Sequence, residues 1–230
     1  MPVPLTLVHS PLVGPETWQT LVPALEDRGH RVVVADLTPA LAAGAPFAEQ
    51  QIELIGRAAG RQPTVLVGHS GAGPLLAAAA DACGAAAIGC VFVDAGLPTP
   101  GRNWFEVVPP ELAAAVRSMA EDGWLPPWSE WWAPEELAEL IPDPQLREGF
   151  TAACPRLPVA LFEEPLPGSP DWAERPGAYL RLSEAYKQEA GRARELGWPV
   201  GELDGHHLSV LSQPERVIGP LLDLVAQLQA

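Results

Sequence analysis

A chain of 230 residues of which 47% are apolar can bury a sizeable core, in one large α/β domain or two small ones. Its 29 acidic side chains against 14 basic ones leave a formal charge of −15, which repels nucleic-acid phosphates and anionic membrane surfaces. No apolar run is long enough for a membrane span, Met1-Pro2-Val3-Pro4 leads straight into a strand without an export signal, and three cysteines lack C-x-x-C spacing. These features predict structural thiols in a cytoplasmic chain rather than disulfides or metal ligands.

In chain order, residues 5–9 form a short apolar strand that ends in the breaker-rich loop His9-Ser10-Pro11-Leu12-Val13-Gly14-Pro15. Trp18, Leu21, Val22 and Leu25 recur at helical spacing until Gly29. Residues 31–37 read as a second strand and 47–60 as a helix with Phe47, Ile52, Ile55 and Ala59 on one side. A third strand over 64–67 runs into Gly68-His69-Ser70-Gly71-Ala72-Gly73, and the alanine-rich stretch 74–87 is a helix small enough to pack closely on a sheet. Residues 88–93 are apolar throughout, as in a strand covered on both faces. Strand and helix alternating in this way predict a parallel sheet with right-handed crossovers and a ligand beyond the carboxyl ends of the strands.

The turn after the third strand is where chemistry is expected. Apolar residues, then small-x-Ser-x-small, then a helix former describe a strand that reverses sharply into a helix with a serine at the apex. Small neighbours let the chain pass close to itself. The serine hydroxyl then stands above the sheet at the positive end of a helix, with the Gly71 amide free for an oxyanion. A phosphate-cradling loop is a poorer fit, since no Lys follows the last Gly and G-x-G-x-x-G spacing is missing.

From about Gly96 to Pro170 the alternation stops. Prolines punctuate short helical pieces, and Trp104, Phe105, Trp124, Trp128, Trp131 and Trp132 concentrate there. The expectation is a helical cap over 99–170, without a sheet element of its own, lying on a core of 1–98 and 171–230. Its tryptophans either glue the cap to the body or line an apolar pocket; Trp104, Trp128, Trp131 and Trp132, with His69 of the turn, are the pocket candidates. Beyond the cap, 178–182 is a strand, 184–196 a helix and 199–203 a last strand before Asp204-Gly205-His206-His207-Leu208. Ser212-x-x-Glu215 has capping-box spacing and opens a final helix with Val217, Leu221, Leu224, Val225 and Leu228 on its apolar face.

A serine near neutral pH needs a base to take its proton, and the base needs an orienting acid. Serine first and histidine late, with the His-small-Pro opening loop, the Gly68-His69-Ser70-Gly71-Ala72 turn, the strand end Val93-Asp94-Ala95-Gly96-Leu97-Pro98 and Gly205-His206, make the chain resemble the α/β-hydrolase superfamily over nearly its whole length. The flavour is that of the small plant methylesterases and hydroxynitrile lyases and of uncharacterised bacterial relatives. The resemblance implies an α/β-hydrolase fold, a mostly parallel doubly wound sheet with the cap inserted after the 88–93 strand. It also implies that the histidine directly after the Gly, His206, is the base, with His207 a neighbour.

Two departures from the family pattern matter. The usual place for the acid, after the 178–182 strand, aligns with Ala185 beside Glu184; a minority of members place it where Asp94 stands, and Asp94 is favoured with Glu184 as the alternative. The amide that usually completes the oxyanion hole, two residues after the opening histidine, falls on Pro11, which has no N–H. The Leu12 amide or the Ser10 hydroxyl would have to substitute beside Gly71.

The expected activity is hydrolysis of an ester, lactone or thioester of a small, largely apolar compound, without cofactor or metal. The alternative keeps the fold and uses the histidine for lyase, C–C cleaving or cyclase chemistry, or only binds a ligand. A small molecule is the expected partner, with neither nucleic acid nor membrane.

Overall fold

The computed structural model describes residues 2–229; Met1 and Ala230, the outermost residues of the expected core segments, lie outside the described residues. Six parallel strands form the main sheet: β1 (Leu5–Val8), β2 (Val32–Ala35), β3 (Thr64–His69), β4 (Ala87–Val93), β7 (Gly177–Arg181) and β8 (Val200–Glu202), in the order β2-β1-β3-β4-β7-β8. The main helices of this core are α1 (Leu21–Glu26), α2 (Thr38–Ala43), α3 (Phe47–Ala59), α4 (Gly73–Cys83), α10 (Lys187–Glu195), α11 (Ser209–Ser212) and α12 (Pro214–Gln227).

Strand side chains alternate between two apolar layers, which is why the strands are apolar throughout. Val65, Val67, Val91, Val93, Ala178 and Leu180 pack against residues of α1 and α12, whereas Leu66, Cys90, Phe92 and Tyr179 pack against residues of α3, α4 and α10. Cys90 and Cys154 are buried, and burial pushes their thiols up to about 12 and about 11. Among the described residues no helix is long and apolar enough to cross a membrane.

Between β4 and β7 lie α5 (Trp104–Val107), α6 (Pro110–Ser118), β5 (Trp124–Leu125), α7 (Pro134–Leu140), α8 (Pro144–Ala153), β6 (Leu157–Pro158) and α9 (Val159–Glu163). The expectation of a segment without sheet of its own is corrected: β5 and β6 pair antiparallel as a two-residue ladder. Pairs so short leave no periodicity to read, and Pro158 argues against a strand. Two apolar clusters seat this segment at the carboxyl end of the sheet. In one, Phe105, Val116, Leu125 and Phe162 meet Leu41 and Phe47; in the other, Leu137, Ile141 and Phe150 meet Val13, Leu208 and Leu211.

A polar contact adds to this seat. The amides of Phe47 and Ala48 donate to the two carboxylate oxygens of Glu164, each at 2.8 Å, so the first turn of α3 is capped from a distant part of the chain. The N-cap position itself, Pro46, offers no side-chain acceptor. Glu164→Ala is therefore expected to lower unfolding stability by about 1 kcal/mol, the ordinary worth of a lost helix cap, measured as a shift of the urea midpoint. An unmoved midpoint would show the contact to be energetically idle.

The final helix starts differently from its capping-box spacing. Ser212 ends α11, and its hydroxyl donates to the Leu208 carbonyl at 3.2 Å and meets the His206 ring at 3.3 Å, so it is not available to cap α12.

Candidate active site

The loops beyond β1, β3, β4, β7 and β8 converge at the carboxyl end of the sheet. Ser70 follows β3 with φ of 58°, a backbone region costly for a residue with a side chain, and sits at the start of the turn into α4. Such strain persists only where packing enforces it. Here a Cβ on Gly73 would collide with the carbonyl of Gly96, and the Gly96 amide donates to the Ser70 carbonyl at 3.3 Å. The serine turn and the turn after β4 are thus packed backbone to backbone.

Asp94, directly after β4, is fully buried and also has a positive φ, 43°. Its Oδ1 accepts from the amides of Leu182 at 2.8 Å and Ser183 at 2.9 Å, and its Oδ2 from the Ser183 hydroxyl at 2.6 Å. Tyr179 pins the next residue, its hydroxyl donating to the Ala95 carbonyl at 2.7 Å and accepting from the Ala95 amide at 3.1 Å. Burial alone would raise the Asp94 carboxyl, but the hydrogen bond and charge attraction of His207, with the donors Ser183 and Leu182, outweigh it and hold the group below the usual carboxylate range. It remains an anion.

The imidazole between these two groups belongs to His207. Its Nδ1 is 2.8 Å from Asp94 Oδ2 and its Nε2 is 2.9 Å from Ser70 Oγ. A carboxylate can only accept, so Nδ1 carries the proton and Nε2 is left to accept from the serine. This corrects the expectation for His206. The amide of His206 donates to Ser209 Oγ at 3.0 Å and its carbonyl accepts from the Ser209 amide at 2.9 Å, so this turn directs its ring to Ser212 and the following ring to Ser70. Burial first, then His207 and Arg216, lower the His206 pKa.

Glu184 stays away from the imidazole. It is exposed, pairs with Arg181 at 2.7 Å and Lys187 at 3.3 Å, and is held below its usual value by Lys187 and then Arg181. Its place beside Ala185 is filled by a residue that sequence reasoning missed: the Tyr186 ring stacks on His207, centroids 5.1 Å apart and planes at 9°. His69 covers another side of the same imidazole at 4.5 Å, and its Nε2 lies 2.9 Å from the His207 carbonyl, so that nitrogen carries the proton. Burial, reinforced by repulsion from His207, depresses the His69 pKa to about 3.

A small pocket opens on Ser70 and His207. Ser10, Leu12 and Val13 line one part of it, and Trp128, Leu208 and the edge of His69 another. Of the four expected pocket tryptophans only Trp128 is there. Trp104 and Trp131 are corrected to packing roles: both face Phe162, at 5.2 and 6.3 Å, within the apolar cluster that joins the inserted segment to Leu41 and Phe47. Trp132 is 39% exposed and reaches the site only through an edge contact of 5.3 Å with Trp128.

The oxyanion candidates are also distributed unequally. The Leu12 amide donates to Ser10 Oγ at 3.3 Å, so it is already engaged. Ser10, 2% exposed, lies against the serine turn: a Cβ on Gly71 would be 2.8 Å from Ser10 Oγ. His9 steadies this loop, with Nδ1 2.8 Å from the Ser10 carbonyl and Nε2 accepting from the Leu37 amide at 2.9 Å. Among the described residues no group of three or more His, Cys, Asp or Glu side chains is placed to hold a metal ion.

A parallel sheet with helices on both faces and a strained serine turn at its carboxyl end define a hydrolase-type enzyme. The family model described as "Alpha/beta hydrolase family" matches residues 7–219, and the chain belongs to that family. No curated protein matches it by sequence. Among solved structures it is similar to an extracellular alpha/beta-hydrolase from a Paenibacillus species, with 17% identity, TM-score 0.73 and coverage of 97% of this chain and 99% of the other. It is also similar to a pyrethroid hydrolase from Sphingobium faniae, with 23% identity, TM-score 0.72 and 96% of both chains covered. Tomato methylketone synthase I in complex with 2-tridecanone matches at 18% identity, TM-score 0.71 and 99% of both chains.

Proposed function

We propose that this protein is a serine hydrolase that cleaves esters, lactones or thioesters of small, largely apolar compounds. The observation that carries the reading is the continuous hydrogen-bond chain from Ser70 through His207 to Asp94 at the foot of the cavity. Ser70 Oγ attacks the carbonyl carbon while its proton passes to His207 Nε2. The imidazolium that results is stabilised by Asp94 and returns the proton to the leaving group. Water then repeats the sequence on the acyl-enzyme.

The oxyanion is received by the Gly71 amide and the Ser10 hydroxyl. Ser10 Oγ already accepts from Leu12, and no acceptor among the described residues takes its own proton, which leaves that proton for the substrate. The pocket over Ser70 is small and walled by the apolar side chains of Leu12, Val13, Trp128 and Leu208, which favours a short apolar acyl group.

A fluorophosphonate probe is expected to label Ser70, and Ser70→Ala to abolish labelling, with p-nitrophenyl acetate turned over faster than the octanoate ester. A folded protein that the probe leaves unmodified would refute the reading. One feature favours the lyase, C–C cleaving or cyclase alternative: Pro11 has no N–H, and the next amide is engaged with Ser10. Turnover that survives Ser70→Ala yet is lost in His207→Ala would select it.

A further inference from the structure

The β7–α10 loop brings no carboxylate to the imidazole, yet it touches both partners of Ser70. Ser183 donates twice to Asp94, and three residues later the Tyr186 ring lies nearly parallel to His207, with planes at 9°. On another side His69 holds the imidazole, through its ring and through a hydrogen bond to the His207 carbonyl. His207 itself follows only the three-residue strand β8 and lies in a turn, which is a weak support for a group that must keep two hydrogen bonds in line.

We infer that Tyr186 is a positioning residue: its ring packs along His207 and holds the imidazole in the orientation that joins Asp94 to Ser70. This inference rests on the serine-hydrolase reading. The geometry explains why a ring is placed here. The Asp94–Nδ1 and Nε2–Ser70 bonds fix two points of the imidazole, and tilting about the line joining them is opposed by its Cβ tether and by what packs on its faces. His69, tilted by 31°, and Tyr186, nearly parallel, both pack on the imidazole and oppose that motion. Tyr186 makes a lasting neutral neighbour, since burial pushes its phenol up to about 12.

The test compares Tyr186→Leu, which fills much of the space without a flat ring, with Tyr186→Phe, which keeps the ring and drops the hydroxyl. Circular dichroism checks that both are folded. Fluorophosphonate labelling rates and the separate kcat and KM for p-nitrophenyl acetate are then measured. In Tyr186→Leu, kcat and the labelling rate are expected to fall on the order of ten- to a hundredfold with KM unchanged, and Tyr186→Phe to recover most of the loss.

Equal rates in wild type and Tyr186→Leu would overturn the inference. So would a change confined to KM, or an equal loss in Tyr186→Phe, which would assign the effect to the hydroxyl. These outcomes are separable from failure of the underlying reading, in which the wild type itself goes unlabelled and both ideas fall together.

Discussion

His207→Ala is expected to lower kcat on p-nitrophenyl acetate by about 10⁴- to 10⁶-fold and to stop modification of Ser70, whereas His206→Ala keeps both close to the unaltered protein. The size of the loss follows from what the imidazole does. Without it, the serine proton has no acceptor at 2.9 Å, and the charge that develops on attack has no path to Asp94. His206 is adjacent in sequence but turned to Ser212, and removing its ring deletes one long contact of 3.3 Å. The comparison is made by steady-state kinetics and by mass spectrometry of the labelled serine. The opposite ranking of the two variants would mean that the loop carries a different ring to the nucleophile.

Asp94→Asn is expected to reduce kcat by about 10⁴-fold near neutral pH while leaving the fold in place. The environment of the carboxylate dictates how an amide would sit. The Leu182 and Ser183 amides both donate to Oδ1, so the carbonyl oxygen of an asparagine must take that position and its NH₂ must face His207 Nδ1. Nδ1 is then forced to accept, the ring proton moves to Nε2, and the imidazole can no longer take a proton from Ser70. Glu184→Gln, which alters an exposed pair with Arg181 and Lys187, leaves kcat unchanged.

The same aspartate gives stability a defined pH dependence. Its folded-state pKa lies below the ordinary aspartate value of about 3.9, so its contribution is complete above that value and is lost as pH falls through the lower folded one. Urea unfolding of the Asn variant should therefore lose part of the acid limb that the unaltered chain displays. An unchanged limb would assign acid sensitivity to other carboxylates.

The sheet was legible because its strands carry their own signature: apolar runs bounded by Gly, Pro and Asp record burial on two faces. The serine turn was legible for a similar reason, since close packing requires glycine at 68, 71 and 73, where a Cβ would collide with Leu76, Ser10 and the Gly96 carbonyl. The choice between His206 and His207 was not. Both follow Gly205, and which ring faces Ser70 is decided by the hydrogen bonds of His206 to Ser209. No periodicity exists in so short a turn. Tyr186 gave no signal for the same reason, because its importance lies in a neighbour distant in sequence. Among the tryptophans, composition placed an aromatic supply near the site, but Phe162 gathers Trp104 and Trp131 into the apolar seam between the inserted segment and the core. That distribution depends on how α5 and α9 meet, which residue types alone do not encode.

The seam between Gly73 and Gly96 has a consequence for how such a catalyst can be altered. Because the chain segments bearing Ser70 and Asp94 touch where Gly73 meets the Gly96 carbonyl, neither can be shifted by a small substitution without dragging the other. Their separation behaves as a machined constant of the scaffold. Adaptation to a new compound must come from the walls contributed by Leu12, Val13 and Trp128, which can be resized while that constant is left untouched.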